Sequence, residues 1–116
     1  MMDFIEAIKK GLEASKNYDR NLDQIIEVIN EANKAIYDKT GIVGAFVGVT
    51  GDKEFTMTPA CRSLNINRHS GFPLTLDTIS GHYKAVDKDD LYEVMHSILS
   101  HPNFGFYVRR LMENNK

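Results

Sequence analysis

The chain has 116 residues, 42% hydrophobic and 26% charged, a composition that excludes a disordered segment and suits one globular core. Its formal net charge of −2, from 14 Lys plus Arg against 16 Asp plus Glu, argues against nucleic acid or a membrane surface as partner. The expectation is a single α+β domain over residues 1–116.

Residues 3–40 carry helical periodicity. Asp3 and Glu6 have capping-box spacing, and Phe4, Ile5, Ile8 and Leu12 share one stripe, which predicts a first helix ending near Ser15. Lys16-Asn17-Tyr18-Asp19-Arg20 reads as a polar joint. Asn21 with Gln24 repeats the cap spacing and opens a second helix. Leu22, Ile25, Ile26, Val28, Ile29, Ala32 and Ile36 mark it to about Lys39, and Gly41 is placed to cap its end.

Residues 42–86 change to an extended pattern. Ile42 to Val49 is apolar on both faces, which predicts a central strand. Thr50-Gly51-Asp52-Lys53 reads as a hairpin turn, and Glu54 to Thr58 alternates as a half-exposed strand closed by Pro59. Ala60 to Gly71 is looser and reads as containing a loop. Phe72 to Thr78 alternates again, Ser80-Gly81 is a turn, and Tyr83 to Val86 is the last strand.

The remainder returns to helix. Asp87 caps a segment whose stripe is Leu91, Val94, Met95, Ile98 and Leu99, and Asp89 and Asp90 suit its first turn. His101-Pro102 breaks the pattern before a last helix from about Asn103 to Glu113. The expected fold is α+β: two N-terminal helices, a four-stranded mainly antiparallel sheet and two C-terminal helices.

Few residues offer chemistry. Cys61 is the single cysteine, so no intrachain disulfide forms. With no basic and apolar leader pattern at the start, and no apolar run near the ~20 residues of a membrane span, a cytoplasmic location is expected. Arg62, His69 or His82 could activate the Cys61 thiol, but a buried small apolar role is the stronger reading. His69, His82, His96 and His101 lack metal-binding spacing, so no metal is expected. Asp77 and Thr75 share an outward strand face. Gly44 and Gly48 lie in an extended run and open no helix, so no phosphate cradle and no cofactor is expected.

Two features stand above this background. Cys61 to His69 is locally basic through Arg62 and Arg68, with no acid between Glu54 and Asp77. In the last helix, Phe104, Val108 and Leu111 face inward, which turns Phe106 outward beside Arg109 and Arg110. Aromatic and Arg side chains together are the types enriched in protein interfaces. The function these features favour is a non-enzymatic protein-binding module that occupies an acidic partner through Phe106, Arg109, Arg110, Arg62, Arg68 and His69. Immunity proteins and other small inhibitors share its size and class, an analogy that no motif carries. A homodimer through Phe106 or a sheet edge would bury the same surface. The alternative is a site for a small anionic ligand, a nucleotide or phosphate, or a small enzyme, where Arg62, Arg68, His69, His82 and Tyr83 converge.

Overall fold

The computed structural model describes residues 3–114. Its elements run α1 (Phe4–Thr40), β1 (Gly48–Val49), β2 (Phe55–Thr56), β3 (Cys61–Asn67), β4 (Gly71–Thr78), β5 (Gly81–Ala85), α2 (Lys88–Ser100) and α3 (Pro102–Asn114). The fold is mixed α+β, but it departs from the expected one at both of its halves.

The N-terminal pair of helices is one helix of 37 residues. Both of its expected ends are present: Asp3 Oδ1 accepts from the Glu6 amide at 3.2 Å, and Gly41, at φ 77°, donates to the Tyr37 carbonyl at 2.7 Å. The polar joint at residues 16–20 contains neither Pro nor Gly, so nothing in it interrupts the hydrogen-bond ladder. Asn21 caps nothing. Its side chain instead donates to the Ser70 carbonyl at 2.7 Å, across the fold.

The four-stranded sheet is replaced by two small ones, β1–β2 and β3–β4–β5, each antiparallel. Only Gly48 and Val49 of the expected central strand pair with a neighbour. The backbone of Ala45 to Val47 takes its partners from side chains. Asn33 donates to the Val47 carbonyl at 2.6 Å and accepts from the Phe46 amide at 3.1 Å; Thr58 Oγ1 donates to the Phe46 carbonyl, and Tyr107 donates to the Ala45 carbonyl at 3.3 Å. Buried backbone groups must be paired, and here side chains meet that need without a strand. Gly44, at φ 63°, turns the chain into this buried passage.

The stretch read as loop contains β3, an edge strand beside the central β4. Register shifts between Cys61 and Ser63 and between Asn65 and Asn67 break its alternation, so the two-residue period is hidden. Pro73 fits the centre of the sheet because β5 pairs only from Leu74 onward and the second shift lies opposite.

One core joins these parts. The distal half of α1 contributes Ile25, Val28 and Ile29; the buried passage adds Phe46; β4 adds Leu74 and Leu76; α2 adds Leu91 and Ile98; and α3 adds Phe104. Among the described residues no helix is long and apolar enough to cross a membrane.

Candidate functional site

Three anchors fix how α3 sits on the body. The Phe104 ring is buried edge-on against Phe46, with centroids 6.5 Å apart. Tyr107 reaches the Ala45 carbonyl, and Asn103 donates to the Ile79 carbonyl at 3.1 Å. At about 100° per residue, burying Phe104 turns Phe106 to the far side of the helix. Phe106 is 60% exposed. Arg109, Arg110 and Glu113 follow it at helical spacing on the same exposed face. Pro59, Ile79 and Tyr107 complete a shallow depression beneath Phe106 and Arg110.

The outer face of the three-stranded sheet is polar. Ser63, Asp77 and His82 lie side by side across β3, β4 and β5. Arg62 and His82 both reach Asp77 Oδ1 at 3.3 Å. Both side chains stay largely in solvent, so the Arg62–Asp77 ion pair contributes at most about 1 kcal/mol. The consequence is chemical: the Asp77 carboxylate already engages both the Arg62 guanidinium and the His82 ring.

Arg68 and His69 lie at the opposite end of β3, in the β3–β4 turn. There the Asn67 carboxamide accepts from the His69 and Ser70 amides at 2.9 and 3.2 Å. At about 3.3 Å per residue, Arg62 and Arg68 are separated by roughly 20 Å. Tyr83 turns its hydroxyl to the Ser80 carbonyl at 3.4 Å. The expected set of Arg62, Arg68, His69, His82 and Tyr83 therefore does not converge on one point. Arg62 and His82 meet on Asp77, and Arg68 and His69 stand apart.

Cys61 is fully buried, and burial pushes its thiol up to about 11 against a weaker opposing effect from the Ser63 backbone; the thiol itself donates to the Ser63 carbonyl at 3.4 Å. At neutral pH the group is a thiol, not a nucleophilic thiolate. Among the described residues no group of three or more His, Cys, Asp or Glu side chains could hold a metal ion.

One surface escapes the reading of the sequence. Every residue from Asp3 to Asn17 is exposed, including Phe4 (70%), Ile5 (69%), Ile8 (62%) and Leu12 (60%). A 37-residue helix is about 55 Å long, in a molecule of 68 × 26 × 20 Å. The first part of α1 is thus an arm beyond the body. Its apolar stripe is plain in the sequence, but the stripe alone does not say whether another element covers it.

Comparisons with protein-family models, with curated proteins and with solved structures find no match to this chain.

Proposed function

We propose that the chain is a non-enzymatic protein-binding module, of the inhibitor or immunity-protein kind, that acts by occupying an acidic partner through the outer face of α3. The observation that carries this reading is the placement of Phe106, 60% exposed, between Arg109 and Arg110 over the Pro59–Ile79 depression. An exposed aromatic ring costs water contact that only burial against another surface recovers. Two guanidinium groups beside it supply fork-shaped donors for carboxylates at the rim of that surface. Phe104, Tyr107 and Asn103 hold the helix on its inner side, so the outer face is presented pre-formed and little ordering entropy is lost on docking.

The test is capture from an extract of the native cells by the immobilised chain, in parallel with Phe106→Ala/Arg110→Ala. The expected result is a stoichiometric partner that the wild-type chain retains and the double variant loses, with affinity down at least about a hundredfold for a central anchor. A partner held equally by both would place the binding surface elsewhere.

A further inference from the structure

We propose that the exposed arm of α1 pairs with the same arm of a second copy, antiparallel, about a two-fold axis near Gly11. This surface is separate from the outer face of α3, so either proposal can fail alone.

The stripe of Phe4, Ile5, Ile8 and Leu12 is left exposed by every other described residue of the chain. It cannot gain one by continuing the core face. At about 100° per residue it is turned by on the order of 120° from the face defined by Ile25, Val28, Ile29, Ala32 and Ile36. What covers it must come from outside.

The charges along one edge of the stripe say what fits. Glu6, Lys9, Glu13 and Lys16 alternate in sign, and inverting the order about Gly11 exchanges each with its opposite. In an antiparallel pair, Glu6 of each copy faces Lys16 of the other, and Lys9 faces Glu13. Ile8 and Leu12 of one copy then pack against Leu12 and Ile8 of the other. With Asp3 and Lys10 included, the arm carries as many acids as bases, so an oppositely charged foreign surface has no preference over itself.

Gly11 gives an independent indication. Glycine weakens an exposed helix relative to alanine, and beyond its chain neighbours and the adjoining helix backbone no atom of the described residues lies within 4 Å of where its Cβ would stand. No tertiary contact among the described residues accounts for it. At the crossing point of two helices, the missing side chain lets the backbones approach.

The area agrees with a reversible dimer. Four apolar side chains per arm, at on the order of 100–150 Å² apiece, bury about 1,000 Å² over two copies before the charged flanks are counted. That lies near the lower bound of specific interfaces, about 1,200 Å² in total. Antiparallel overlap of residues 3–17 uses the whole arm and leaves the bodies at opposite ends. The α3 faces would then be displayed in pairs, which raises the avidity for any repeated partner.

Sedimentation equilibrium of the full chain from micromolar to millimolar concentration tests this. The expected result is a monomer–dimer equilibrium, weakened at least about a hundredfold by Ile8→Glu because each dimer loses the contact twice. Thermal unfolding of the body should be unchanged in that variant. Lys9→Glu should weaken the dimer and Lys9→Glu/Glu13→Lys should restore it. A chain that stays monomeric throughout the range overturns the proposal, whether the stripe then binds lipid vesicles or another protein. A dimer that survives Ile8→Glu, or is indifferent to the charge pair, overturns it equally.

Discussion

The side-chain amide of Asn21 donates to the carbonyl of Ser70 at 2.7 Å and so ties the midpoint of α1 to the turn between β3 and β4. This contact marks where the helix stops being an arm and becomes a wall of the core. Beside it, Gly71 adopts φ 81° and brings its α-carbon against the Asn21 side chain.

Gly71→Ala should therefore be among the most damaging small substitutions. An added Cβ would stand 2.8 Å from Asn21 Cβ, in a backbone conformation that side chains disfavour. Left-handed strain of about 1–2 kcal/mol and a steric term of similar size add to a loss of about 2–4 kcal/mol. Urea unfolding measures it. A loss below about 1 kcal/mol would mean that this turn does not seat on α1 as described.

Asn33→Ala should cost about 2–4 kcal/mol, although it removes only a carboxamide. It deprives the Phe46 amide and the Val47 carbonyl of partners in a segment where Phe46 and Val47 are wholly buried. Asn33→Asp should be destabilising too, since it keeps the acceptor for Phe46 but loses the donor to Val47. Guanidinium unfolding of the two variants, with equal m-values, checks the account.

Alkaline pH should destabilise the fold through Cys61. A thiol raised on folding from the ordinary 9.0 to about 11 holds its proton more tightly when folded. The stability it contributes is intact below about pH 9 and is lost as pH rises toward about 11, in total on the order of 2–3 kcal/mol. Cys61→Ala should shift stability at all pH values but flatten this part of the profile relative to wild type. Parallel slopes for the two proteins between pH 9 and 11 would rule the thiol out as the cause.

Phe104 and Phe106 should separate stability from binding. Phe104→Ala empties the contact with Phe46 and should cost about 3–5 kcal/mol, loosening α3 from the body. Phe106→Ala, at an exposed position, should change stability by no more than about 0.5 kcal/mol. Thermal melts of both variants provide the measurement; a large loss at Phe106 would show that its ring packs within the chain.

Local chemistry was legible from the residues alone. The Asp3, Gly41 and Asp87 caps, the buried stripe of α2, the outward turn of Phe106 and the antiparallel pairing of β4 with β5 all follow from interactions a few residues long. What the chain does as a whole was not written at that range. Asn21 has the spacing of a helix cap, yet a carbonyl from Ser70 claims its side chain; Ile42 to Val49 has the composition of a strand, yet Asn33, Thr58 and Tyr107 claim its backbone. Arg62 and Arg68 read as one basic loop until the strand between them sets them apart. Phe4, Ile5, Ile8 and Leu12 read as the stripe of a short first helix, but the length and phase of α1 carry them past the core. Periodicity states which face of an element is apolar. Whether another element reaches that face, and which group satisfies a given backbone amide, depends on contacts distant in sequence, and those only the tertiary structure decided.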